Sequence, residues 1–306
     1  MKKLYELLQI NKHDGLFGVE VECEGENLAH PPVGWKQEAD GSLRGHYPDR
    51  SCEYVFNGPA SLAASLRRIY SLGKALENSK LDFSFRTSVH VHVNVQELTW
   101  EQYLAMIYTS VIMENVLTKF CGDSRTNNRF CLRNEDAEQF LDVLDGLFKG
   151  GVRYLKRINQ NDVRYSFINI AATTKYGSIE YRGMRGTVDR EVLTPWIKAL
   201  NNIRQFAIEN STPRKVHDLF VRSHPEEFAK NVLKDVFEHF NYPGLLEDMR
   251  RAFSLSLQLP YSFKEEVKQE IKPKNPRENL IIHDELWENR EAIVQDFIFR
   301  DNPYRF

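Results

Sequence analysis

With 306 residues, 42% of them hydrophobic, the chain has enough apolar mass for one large core or two modest ones. Its 41 basic and 43 acidic side chains leave a formal charge of −2, which gives no indication of nucleic-acid binding and leaves small charged substrates open. Four cysteines without CxxC spacing are too few for a disulfide scaffold and fit a reducing cytoplasm.

The opening "MKKLYELLQI" has its apolar run broken by Glu6 and Gln9, and no small-residue cleavage site follows, so no signal peptide is expected. No window reaches the roughly 18 uncharged apolar residues of a spanning helix, so no membrane association is expected. The first strand candidate is "LFGVEVEC". A turn around Asp40 and Gly41 in "EADGSL" separates it from a second, "SCEYVF". After Gly58 and Pro59, Leu62, Leu66, Ile69, Leu72 and Leu76 fall at helical spacing. A strand is expected over "DFSFRTSVHVHVNV". Thr99 then caps a run, "WEQYLAMIYTSVIMENVLTKF", whose apolar residues cover most of the circumference and predict one deeply buried helix. "NEDAEQFLDVLDGLFKGG" reads as a helix closed by its paired glycines, "RYSFINIAA" and "GSIEYRG" as strands, and "DREVLTPWIKALNNIRQFAIEN" as a helix that Pro195 kinks or restarts.

These elements do not alternate as βαβ units. They predict an α+β fold, an antiparallel or mixed sheet with helices against one face. Beyond Asn210 the strand patterns vanish, so residues 1–210 are expected to form the catalytic unit and 211–306 a helical extension. In that extension "PEEFAKNVLKDVFEHF" is amphipathic and "FKEEVKQEIKPKNPREN" resembles a helix running into a linker. A final helix with Leu286, Ile293 and Phe297 on one face would either brace a lid as a strut or dock on a partner or a second copy of the chain.

Four strands share an oddity. In "SVHVHVN", Val89, Val91 and Val93 alternate with His90, His92 and Asn94, and a period of two sends the sets to opposite faces. Likewise Val19, Val21 and Cys23 oppose Glu20 and Glu22; Cys52 and Tyr54 oppose Glu53; and Ile179 and Tyr181 oppose Glu180 and Arg182. Carboxylates two apart on a strand repel unless a positive charge lies between them. At roughly 6 to 7 Å they are spaced to flank one divalent ion or hold two side by side. Hard oxygen ligands with an imidazole select Mg2+, with Mn2+ tolerated, over zinc. Arg182 and Arg185 supply guanidinium groups suited to phosphate oxygens. Together these are the parts of a phosphoryl-transfer site, in a chain with neither a G-x-x-x-x-G-K-[ST] run nor a protein-kinase motif set.

"FGVEVE", "EADGSL", "CEYVFNGP", "TSVHVHVN" and "GSIEYRGMRGT", in that order over Leu16 to Ile203, resemble the amidoligase family of carboxylate-amine ligases related to glutamate-cysteine ligase and glutamine synthetase. The resemblance implies a glutamine-synthetase-like sheet bearing the active site, where ATP phosphorylates a carboxylate and an amine displaces phosphate to give an amide. Glu20, Glu22, Glu53 and Glu180 match its metal carboxylates, and His92 the histidine on a metal that bridges the nucleotide phosphates. His90 and Asn94 go with the nucleotide, and Arg164 and Asn169 of the "RYSFIN" strand with nucleotide or substrate. Arg182 would neutralise the transferring phosphoryl group and Arg185 would bind phosphate or substrate carboxylate. Arg129 and Arg133 in "NNRFCLR" are similar to an arginine-cysteine stretch of the family. The partners implied are small-molecule or peptide carboxylates and amines. A metal-dependent hydrolase built on the H-x-H strand and a binding module on a degenerate ligase scaffold are the competing readings, although His217 and His224 fall in the helical tail and His30 and His46 in a loop.

Overall fold

The valine–histidine alternation sets the architecture. In the computed structural model of the chain, which describes residues 1–44, 50–126, 128, 131–133, 138–159, 163 and 165–256, this segment lies near the middle of an open seven-stranded sheet. In chain order the strands are β1 (Phe17–Glu26), β2 (Trp35–Glu38), β3 (Ser51–Phe56), β4 (Lys80–Leu81), β5 (Ser88–Asn94), β6 (Ile168–Asn169) and β7 (Ser178–Arg185). Across the sheet they run β2-β3-β1-β5-β7-β6, with β4 paired to the end of β1, and every one of these pairings is antiparallel.

Val89, Val91 and Val93 pair with Val21, Val19 and Phe17 on one side and with Met184, Tyr181 and Ile179 on the other, and all nine are fully buried. A one-residue slip of β5 would exchange its three valines for His90, His92 and Asn94. That would forfeit on the order of 5 kcal/mol of apolar burial and desolvate two imidazoles. The alternation therefore fixes the register and, with it, the composition of the opposite face.

The helices are α1 (Leu4–Leu8), α2 (Leu62–Ala75), α3 (Trp100–Ile112), α4 (Glu114–Cys121), α5 (Glu138–Leu155), α6 (Ala172–Tyr176), α7 (Arg190–Glu209), α8 (Pro213–Arg222), α9 (Pro225–Leu233) and α10 (Leu245–Ser256). Buried residues of α2, α3 and α7 join the valine face in one core. Thr99 caps α3 reciprocally with Gln102, and every residue from Tyr103 to Ile112 is buried. Val216, Phe220, Phe228, Val232 and Phe253 of α8–α10 belong to the same core. No helix among the described residues is long and apolar enough to cross a membrane.

Several sequence-based expectations change. The run after Thr99 forms two helices that meet at Met113 (φ −83°, ψ −3°); an apolar surface all round offers no periodicity to mark such a break. As expected, the paired glycines end the first part of α5: Gly151 (φ +59°, ψ −149°) is non-helical, and a second short helix runs on to Leu155. Pro195 sits inside a continuous α7. Of "RYSFINIAA" only Ile168 and Asn169 pair with β7, because the Asn169 side chain accepts from Ala171 N and turns the chain into α6. β2 was not expected. Residues 257–306, including the last amphipathic run, lie outside the described residues.

Candidate active site

Register assembles the polar face in rows. Glu38 pairs with Glu53 and Glu53 with Glu22 across β2, β3 and β1; Glu20 pairs with His90 across β1 and β5; Gly18, His92, Glu180 and Asn169 line up across β1, β5, β7 and β6. Each residue is there by strand parity alone.

Two groups of side chains have the composition and closeness of cation sites. Glu20, His90 and Glu180 form one, and Glu22, Glu53 and His90 the other; within each, the ligand atoms lie within 4.8 Å of one another. His90 is common to both. Its Nδ1 is 3.2 Å from Glu20 Oε2 and 3.6 Å from Glu180 Oε1, while Nε2 lies 2.7 Å from Ser88 Oγ. A neutral imidazole has one lone pair, so it completes one group at a time. Ser88 decides which. Its hydroxyl donates to Glu22 Oε2 at 2.6 Å and so accepts from His90 Nε2–H, which turns Nδ1 toward two carboxylate oxygens. That arrangement is repulsive unless a positive species, a proton or a cation, lies between them. The donor set of carboxylates and one imidazole fits Mg2+ or Mn2+.

The electrostatics is uneven. Burial works to raise the Glu20 carboxyl, but hydrogen bonds with His90 and His92 outweigh it and hold it well below the usual carboxylate range. Burial likewise opposes ionisation of Glu180, and the charges of Arg182, His92 and His90 bring it down. Among the described residues Glu53 has no such partners: burial first, then Glu20, Glu22, Asp40 and Glu38, push it up to about 9. His92 is raised, because its contact with Glu20 and the Glu180 charge overcome burial. Its Nε2 faces Glu20 Oε1 at 3.4 Å and its Nδ1 meets Ser178 Oγ at 2.9 Å.

Val89 pairs with Met184 and Val91 with Tyr181, so two residues of β7, Arg182 and Gly183, oppose His90 in a bulge. Gly183 is obligatory there, since a Cβ would collide with the Phe167 ring. The bulge shifts the parity so that Met184 enters the core and Arg185 pairs with Ser88. Arg182 bonds through Nη1 to Glu180 Oε1, while its buried Nε meets no acceptor among the described residues.

The structure thus brings together Glu20, Glu22, Glu53, His90, His92, Glu180 and Arg182. Asn169 joins by donating to Glu180 Oε2 at 2.6 Å, which orients that carboxylate. Asn94 instead donates to His13 O and Gly15 O and accepts from Gln96 N, tying down the strand end. Arg185 donates to the carbonyls of Phe120 and Cys121 at the end of α4. Arg133 donates to Asn115, His217 is buried against Tyr108, and Asp40 accepts from Ser42 N in a turn. Arg164, Arg129 and His46 lie outside the described residues. Sequence reasoning missed Ser88 and Ser178, although the parity that placed His90 and Glu180 places them too.

Residues 58–203 match the model of a family described as "Putative amidoligase enzyme". No curated protein matches the chain. The matched segment contains β5, β6 and β7, hence His90, His92, Asn169, Glu180 and Arg182. β1 and β3, with Glu20, Glu22 and Glu53, precede it and are tied to it by the β1–β5 register.

Proposed function

We propose that the chain is an ATP-dependent carboxylate-amine ligase, forming an amide through an acyl phosphate on a glutamine-synthetase-like sheet. One observation carries the reading: His90, between carboxylates of β1 and β7, shares Glu180 with Arg182 on the face that the amidoligase segment builds. A carboxylate is a poor acyl donor and needs a better leaving group before a neutral amine attacks. Nucleotide and divalent cation would supply that leaving group and offset the repulsion among anions.

The chain's own residues have distinct parts. Glu20, Glu180 and His90 would hold one cation, with Asn169 orienting Glu180; Glu22 and Glu53 would hold a second. Arg182 would bring a fixed positive charge to the anion being transferred. His92, favoured in its charged form and braced by Ser178, sits where an anionic oxygen would meet Glu20.

The test is ADP and phosphate formation with Mg2+ across a matrix of carboxylates and amines. Release that requires both substrates supports the ligase. Release that needs no amine, or none with any pair, overturns it.

A further inference from the structure

Arg125 ends a short 3-10 turn (Asp123–Arg125) and is 1% exposed, yet among the described residues its guanidinium pairs with no carboxylate. Its donors go to backbone carbonyls: Nε to Gly183 O at 3.0 Å, Nη2 to Arg182 O at 2.9 Å and Nη1 to Phe85 O at 3.5 Å. Apart from these carbonyls the guanidinium meets the Cys131 thiol, and a desolvated cation with no anion beside it is a costly fastener. The neighbouring Asn128 donates to the same Phe85 O at 3.0 Å without any charge.

The location gives that charge a use. Arg182 and Gly183 are the two residues of the β7 bulge, where the row of polar side chains is re-aimed. A planar fork that grips both carbonyls fixes the bulge as a flexible lysine would not. Phe85 lies three residues ahead of Ser88, the hydroxyl that bridges His90 and Glu22. One buried guanidinium therefore joins the backbone beneath Arg182 to the loop that enters β5.

We propose that Arg125 is a positioning residue for the anion end of the site: it clamps the bulge that aims Arg182. The inference rests on the ligase reading for the identity of the anion, a phosphate chain, but not for the coupling between the two arginines.

Inorganic pyrophosphate with Mg2+ is the probe, titrated calorimetrically into the full chain. Arg182→Ala and Arg125→Ala should each weaken binding by at least about tenfold. Arg125→Lys should behave like Arg125→Ala, and the double variant should bind no more weakly than Arg182→Ala alone. Mn2+ affinity measured without pyrophosphate should stay within about twofold of wild type in Arg125→Ala. Free guanidinium at low millimolar concentration should restore pyrophosphate binding to Arg125→Ala and not to the double variant. Additive losses, full activity of Arg125→Lys as a binder, or equal loss of Mn2+ would each overturn the proposal. If Arg125→Ala does not fold, Arg125→Lys and Arg125→Gln carry the same comparison, and unfolding of all three reduces Arg125 to a structural role. A wild type that binds no pyrophosphate refutes the anion site. One that binds it but joins no carboxylate to any amine refutes the ligase reading and leaves the coupling standing.

Discussion

Glu53 offers the sharpest quantitative test of the carboxylate cluster. Its carboxyl rises from 4.5 to about 9, through burial and then the charges of Glu20, Glu22, Asp40 and Glu38. Because the folded value exceeds the unfolded one, the native state holds more protons between these limits. Without a divalent cation, the contribution to stability is therefore full below about pH 4.5 and is lost as pH climbs toward 9. Each pH unit within that window corresponds to about 1.4 kcal/mol for one proton, and rearrangement of the acidic neighbours lowers this to roughly 1 kcal/mol. For a chain of this size that is about 1.5 °C in melting temperature per pH unit. His92 adds a fall of the same sign above neutrality, so the difference between wild type and Glu53→Gln isolates the carboxyl. Differential scanning fluorimetry from pH 6 to 9 in chelator should show wild type losing ground to Glu53→Gln steadily. Millimolar Mg2+ should flatten the wild-type curve, since a cation replaces the proton, and should affect the variant less. Parallel curves for the two proteins in chelator would refute the crowding of charge around Glu53.

Glu22→Gln and Arg182→Ala should each lower turnover by about 10²-fold or more with melting temperatures changed by only a few degrees, read from initial rates of phosphate release. Ser88→Ala strands His90 Nε2 and Glu22 Oε2 in a buried site and should cost about 1–3 kcal/mol in denaturant titrations while weakening Mn2+ binding by about 10- to 100-fold. Gly183→Ala forces a methyl into the Phe167 ring and should destabilise by at least about 2 kcal/mol; Phe167→Leu in the same chain should return part of that stability.

Much of this site was legible because β-strand parity is a rigid rule. Once Val89, Val91 and Val93 are assigned to the core, His90 and His92 have only one face left, and the same holds for Glu20, Glu22 and Glu180. Parity fails where the backbone departs from period two. The bulge at Arg182 and Gly183 leaves no pattern signal beyond a glycine, so Arg185 could be named as a candidate without any means of seeing that it would cap α4 instead. Asn94 illustrates another limit: it has the right parity, but sits at the strand end, where backbone carbonyls of His13 and Gly15 claim its amide. Arg125 was invisible for a third reason. Its partners are carbonyls of residues 40 and 58 positions away in the chain, and carbonyls carry no sequence identity.

The exposure of the side chains gives the site a direction. Glu20 retains 26% of its side-chain surface, His92 14% and Arg182 13%, whereas Glu180, Glu22 and His90 retain 7%, 5% and 4%. Solvent therefore meets Glu20, His92 and Arg182 before it reaches Glu180, Glu22 and His90. A polyanion approaching from solvent meets the two cationic groups before it reaches Glu22, whose negative charge would otherwise repel it. The buried acids are compensated by whatever cation or proton they share, and the half-buried Glu53 beside them shows that without that compensation a carboxyl keeps its proton. Cation binding and anion binding are then coupled by charge. Each cation that replaces the proton on Glu53 makes the interior less negative, so pyrophosphate affinity should rise with Mg2+ even where the two do not touch.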